Sequence, residues 1–331
     1  MMEKTRGFLT IATGSEKYYA LAVNLLRSYR MKCTAEKPEA FAVITDANNP
    51  YIGEFDRAII LDKPSNSYLD KLRLDEDLPF DENIFIDADS LAFGDLSPLF
   101  DAFSNAGDFS AFGRALPVDT KEGVWFDAEG AGEYRDKIQF TVNMHGGVYY
   151  IRRTPLAHEV FALARHVCEN FHSFAFAALK QATPTDEVGL ALAMAVTGCK
   201  PTDVTTTPKK SPYLLFLPSV QESRRNRIAL DFPKGIAHIQ MGDWDCDVLL
   251  VHFQTNFTVD GLYQSQLYLM NCLREKKDAP LSAEEEKRMY GEARRIFLSR
   301  EPRRIARRVY FFARHSILGG VKRALLSVVR K

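Results

Sequence analysis

The chain is expected to be an α/β protein, with a mostly parallel central sheet flanked by helices and a helical C-terminal extension. Two observations predict this. Short apolar runs alternate with helix-period stretches through the first half, and apolar strands that alternate with helices belong to parallel sheets covered on both faces. After about residue 265 the strand-like runs cease and helical patterning continues to the end. The expected organisation is therefore a domain over residues 1–265 and a helical, basic region over 266–331.

Each element has its own signal. Phe8–Ala12 reads as a buried strand, and Glu16–Arg30 repeats apolar residues at helical spacing behind the turn Thr13-Gly14-Ser15. Ala40–Thr45 and Arg57–Leu61 are further strands, the first ending in the turn cluster Asp46–Pro50. Asn83–Asp87 is a fourth strand, followed by a short helix at Leu96–Phe103. The stretch from Phe109 to Gly146 is irregular and rich in loop glycines, with Asp75 and Asp77 before it in a charged loop. Strand character resumes at Gly147–Ile151, then helices at Leu156–Leu179 and Glu187–Thr197, and a strand at Val248–His252 entered by a polar turn, Asp243–Asp247. Ser282-Ala283-Glu284-Glu285 has the form of a capping box opening a helix towards Ser299. Pro302 suits the first turn of another helix carrying Ile305, Val309 and Phe312 on one stripe, broken by Gly319-Gly320.

Composition narrows the function classes. At 331 residues, 46% hydrophobic and 26% charged, the chain is neither disordered, collagen-like nor coiled coil. Basic and acidic residues number 43 each, which argues against a gross binder of nucleic acid. The balance is uneven, however: residues 287–331 hold 14 basic residues and two acids, a net +12, leaving −12 for residues 1–286. Five widely spaced cysteines without C-x-x-C point to reduced thiols rather than a disulfide framework or zinc ribbon. Phe8–Ala12 is too short for a signal segment, and nowhere do about 18 apolar residues follow one another as a bilayer span requires. A cytoplasmic body is expected. Its tail, with Tyr310, Phe311 and Phe312 among arginines, suits either an anionic membrane surface on the cytoplasmic face or a helical cap on the acidic body.

Asp-x-Asp occurs four times, so the bare pattern carries little. Asp87-Ala88-Asp89 stands apart because it ends the strand Ile84-Phe85-Ile86, where alternate spacing puts both carboxylates on one side at the sheet's carboxyl edge. There they could bind a divalent cation and leave positions for a diphosphate, or cap the next turn. His252 ends another strand, and an imidazole beside two carboxylates suits Mn²⁺ or Mg²⁺, the former better. Asp243-Trp244-Asp245-Cys246-Asp247 lacks the glycine and closing glutamate of a calcium loop.

In order along residues 8–260 these pieces resemble the family 8 retaining glycosyltransferases, the group of glycogenin and the bacterial lipopolysaccharide galactosyltransferases. Leu9–Tyr18 resembles that family's uridine-binding strand and loop, Tyr68–Leu74 its segment supplying a basic residue to the donor, and Ile84–Leu91 its metal-binding strand. Asn143–Ile151 is similar to its Asn-Ala-Gly-Val strand with His145 where Asn is usual; Thr183–Val188 is similar to its Asp-Gln-Asp segment, and Val251-His252-Phe253 to its third metal ligand. The resemblance implies a GT-A fold, Mn²⁺ or Mg²⁺ on Asp87, Asp89 and His252, and a UDP-hexose donor contacted by Thr13, Tyr18, Lys71 and Arg73. It also implies Asp186 and His145 at the transferred sugar, and a glycan or glycolipid acceptor in bacterial surface polysaccharide synthesis. No Lys-Pro-Trp follows His252, so the diphosphate charge falls to the metal with Lys71 or Arg73, or to Lys209 or Lys210. Asp186 is equally placed to cap the helix that follows it. A sugar nucleotidyltransferase and a UDP-sugar-binding protein with weakened chemistry are the alternative readings.

Overall fold

The computed structural model describes residues 5–65, 67–121, 123–174, 184–203, 213–216, 227–241, 244–276 and 279–300. The chain divides into two compact units: residues up to 228 with 237–252, and residues 229–236 with those from 253 onward.

The first unit is built on β1 (Arg6–Ala12), α1 (Glu16–Lys32), β2 (Ala40–Thr45), β3 (Arg57–Ile60), β4 (Glu82–Ile86), β5 (Ser90–Ala92), α2 (Pro98–Ala102), β6 (Phe109–Leu116) and β7 (Thr141–Arg152). After β7 come α3 (Pro155–Glu169), α4 (Asp186–Thr197), β8 (Leu214–Phe216), β9 (Arg227–Asp231, of which residues 229–231 belong to the second unit), β10 (Ile236–Met241), β11 (Trp244–Asp247) and β12 (Leu250–His252). The central sheet has the order β3-β2-β1-β4-β7-β6. β1 to β4 run parallel, while β7 is antiparallel to both β4 and β6. This mixed α/β sheet is compatible with a Rossmann-like fold, and its apolar strands do the work foreseen for them. Phe8, Phe41, Ile84 and Phe85 are fully buried, Phe8 packing against Tyr29 of α1 at 5.0 Å between ring centroids. Each such ring contributes about 1.5–3 kcal/mol through removal of apolar surface from water.

A second small sheet, β5-β12-β8, does the positioning that matters for the site. β5 follows Asp89 directly, and its antiparallel register sets Ser90 opposite His252. The chain thereby returns a residue more than 150 positions later to the end of β4.

Four local expectations are corrected. The irregular stretch after Phe109 contains β6, and β7 begins at Thr141 rather than Gly147, because cross-strand pairing overrides the glycine and polar content of both. At Gly113 the neighbouring strand comes so close that a Cβ would lie 2.1 Å from the Asn143 carbonyl oxygen. α3 stops at Glu169, where Asn170 caps it and a short 3₁₀ turn follows, instead of running to Leu179; residues 175–179 lie outside the described residues. Residues 244–247 form a strand paired with β10, not a polar turn, which brings His238 between Asp245 and Asp247 at 3.1 and 3.0 Å. The expected charged loop around Asp75 is a ten-residue 3₁₀ run, Tyr68–Asp77.

In the second unit the helix Gly261–Lys276 is joined to residues 229–236 by Gln266, whose Oε1 accepts from Phe232 N at 2.8 Å and whose Nε2 donates to Leu230 O at 3.1 Å. The capping box forms as read: Ser282 N and Oγ both donate to Glu285 Oε2 at 2.9 Å, and the helix over residues 283–300 follows. A Cβ on Gly261 would lie 2.5 Å from Phe297 O, so this helix pair requires glycine there. The expected helix from Pro302 and the basic tail lie outside the described residues. No helix among the described residues is long and apolar enough to cross a membrane.

A candidate metal centre at the sheet edge

Thr13, Asp46 and Asp87 each follow a parallel strand at its carboxyl end, the edge where open α/β sheets gather ligands. Asp87 leaves β4 with its N–H still donating to Gly147 O at 2.9 Å, so the sheet holds its backbone. His252 Nε2 lies 2.9 Å from Asp89 Oδ1 and 3.6 Å from Asp87 Oδ2. All three side chains are buried, and their ligand atoms lie within 4.8 Å of one another. Two hard carboxylate oxygens and one borderline imidazole form a donor set that fits Mn²⁺ or Mg²⁺.

Lys71 enters the same place. Its Nζ sits 2.7 Å from Asp87 Oδ1 and 3.3 Å from Asp186 Oδ2, bridging the end of β4 and the start of α4. Burial opposes its charge, but Asp186 and Asp87 outweigh burial and hold the ammonium above the usual lysine range. Burial pushes the Asp87 carboxyl up, against the pull of Lys71 and His252. Burial also works against a charged His252, yet Asp89 prevails and raises its pKa.

Asp186 is the first residue of α4, not its cap. Thr185 takes that role, its Oγ1 accepting from Val188 N at 3.4 Å. The Asp186 carboxylate is thereby left to face Lys71 and Tyr149, whose hydroxyl donates to Oδ2 at 3.0 Å. His145 lies against His252 edge to face, ring centroids 5.2 Å apart. Its Nδ1 accepts from Gly147 N at 2.9 Å, and burial, then His252, hold it well below the usual histidine range. A neutral ring that accepts at Nδ1 carries its proton on Nε2.

The other expected donor contacts divide. Thr13 is buried and its Oγ1 donates to Asp70 Oδ2 at 2.9 Å, which ties the loop after β1 to the Lys71 segment. Tyr18 is exposed on the first turn of α1. Arg73 points elsewhere: it pairs with Glu76 and donates to the carbonyls of Asp62 and Lys63, so it is not among the residues brought together. Lys209 and Lys210 lie outside the described residues.

Two features escaped the sequence reading. Glu187 accepts from Gly146 N at 2.9 Å, and burial, followed by the like charge of Asp186, raises its carboxyl to about 7. The adjacent glycines are steric requirements: a Cβ on Gly146 would lie 2.7 Å from Glu187 Cγ, and one on Gly147 would lie 2.6 Å from His252 Nδ1. Their signal was present as Gly146-Gly147 inside a strand, the mark of close backbone approach. Comparison with protein-family models finds no match, and comparison with curated proteins finds none either.

Proposed function

We propose that this chain is a metal-dependent glycosyltransferase of GT-A type that moves a hexose from a UDP-sugar to a glycan or glycolipid acceptor with retention of configuration. The observation that carries the reading is the meeting of Asp87, Asp89, His252 and Lys71 at the carboxyl ends of the parallel strands of a mixed sheet. One strand-end pair of carboxylates is common; joined to a histidine from a distant strand and a partly buried lysine, it supports a site suited to phosphate charge.

Asp87, Asp89 and His252 would hold Mn²⁺ or Mg²⁺, which when bound supplies Lewis-acid stabilisation to a diphosphate leaving group. Lys71 adds a fixed positive charge beside Asp87, in the role that the absent lysine after His252 leaves open. Asp186, oriented by Tyr149 and Lys71, is placed for the sugar hydroxyls or for the positive charge that grows at the anomeric carbon. His145 offers an Nε2–H donor whose orientation the Gly147 amide sets. Thr13 and Tyr18 stand on the first loop and helix turn, where the nucleoside would lie along the edge. Surface polysaccharide synthesis at the cytoplasmic membrane face, with the basic tail on anionic lipid, completes the reading.

The test is turnover. Full-length protein with Mn²⁺ should release UDP from one member of a panel of UDP-glucose, UDP-galactose and their N-acetyl forms, and the Asp87→Asn/Asp89→Asn protein should lose this while remaining folded. Undiminished turnover in the double variant overturns the assignment. Pyrophosphate release from UTP would favour the nucleotidyltransferase instead.

A further inference from the structure

We propose that Arg165, on α3, is a positioning residue that sets the reach of Lys71 into the metal centre; the proposal deepens the transferase reading, on which the role of Lys71 rests. Lys71 rides on the run Tyr68–Asp77, which is 3₁₀ over ten residues. Such runs have poor internal hydrogen-bond geometry and seldom exceed three or four residues. What the run is tied to therefore decides where it lies.

Its first half is tied by Tyr68, whose hydroxyl donates to Pro184 O at 2.7 Å, and by Asp70. Asp70 Oδ2 accepts from Thr13 Oγ1 at 2.9 Å, while Oδ1 accepts from Ser65 N at 2.8 Å and Ser65 Oγ at 2.6 Å. Its second half is tied by Arg73, whose Nη1 donates to Asp62 O at 2.9 Å, and by Arg165, the one of the two that reaches the peptide beside Lys71. Arg165 Nη1 donates to Leu72 O and to Asp75 Oδ1, both at 2.5 Å, and its Nη2 donates to Asp75 Oδ2 at 3.2 Å. The Asp75 side chain is 1% exposed and also meets His158 Nδ1 at 2.5 Å. Leu72 follows Lys71, so the guanidinium grips the peptide next to the lysine's own while its fork satisfies a buried carboxylate. Lysine at position 165 would keep the charge but could not fill both the carboxylate fork and the carbonyl. α3 also packs on α4, which carries Asp186, so one helix holds the Lys71 run and supports its partner.

Competitive acylation of amines in the full-length chain, read lysine by lysine by mass spectrometry, tests this without any substrate. In Arg165→Met, Lys71 labelling should rise about tenfold or more, as expected for loss of charge-assisted hydrogen bonds, while the other lysines hold their wild-type rates. Arg165→Lys should restore part of the protection. Unchanged Lys71 labelling in folded Arg165→Met overturns the proposal. So does a parallel rise at every lysine in both variants, which would make Arg165 merely structural. UDP release on the same proteins separates the two ideas: a selective labelling response with an inactive wild type keeps the clamp and retires the transferase. With an active wild type, Arg165→Met should lower kcat about 10- to 100-fold, the scale of a misplaced catalytic group.

Discussion

Replacing Glu187 with Gln removes a charge from a site where charge is unwelcome and keeps the acceptor that Gly146 N uses. In the folded protein burial, then the neighbouring Asp186, raise the Glu187 carboxyl to about 7, from an ordinary value of 4.5; Lys71 and the Gly146 hydrogen bond pull the other way. The folded state thus binds this proton more tightly than the unfolded state. The stability it confers is complete below about pH 4.5 and is lost as pH rises through 7. Raising a carboxyl from 4.5 to about 7 corresponds to about 3 kcal/mol at most, reached above pH 7. Glu187→Gln should therefore match wild type at pH 4.5 and exceed it by up to about 3 kcal/mol at pH 8, since the amide never ionises. Urea unfolding of both proteins at half-unit intervals from pH 4.5 to 8, in chelator, measures the difference directly. Parallel stability curves across that window would refute the argument.

Lys71→Met leaves Asp87 and Asp186 without their shared cation, and removing one partner of a buried ion pair costs about 3–5 kcal/mol; the same change at Arg73 should cost under about 1 kcal/mol. Chemical denaturation at pH 8 compares them. Gly147→Ala presses a methyl against His252 and His145, so Mn²⁺ affinity by titration calorimetry should fall while Gly107→Ala, where nothing lies within 4 Å, leaves it unchanged. Thr185→Ala removes the α4 cap and should cost about 1 kcal/mol in the same unfolding assay.

The legible part of this molecule was the part whose signal is local. Ala40–Thr45 is a strand as read, and the box Ser282-Ala283-Glu284-Glu285 caps its helix because both partners lie within one turn. Asp87 and Asp89 were legible because they directly follow an apolar strand, but strand alternation is not what brings them together: β4 ends at Ile86, and the two lie in a turn closed by Ser90 N donating to Asp87 O at 3.1 Å. β6 and the first half of β7 were not, since the glycines and polar residues there become strands by pairing with each other, a partnership no local pattern announces. Asp75 read as a solvated loop charge because its partner, Arg165, is 90 residues away.

Residue types and their order thus determined the apolar strands, the helix starts and the chemistry available at the end of β4: carboxylates, an imidazole and two nearby bases. Which of those bases reaches the carboxylates was decided only by the tertiary structure. Lys71 and Arg73 are two residues apart on the same run, yet one bridges Asp87 and Asp186 while the other turns outward to Glu76. The physical reason is that a side chain's direction follows from the backbone beneath it, and the run Tyr68–Asp77 is held by Thr13, Pro184 and Arg165, contacts that exist only once the chain has folded.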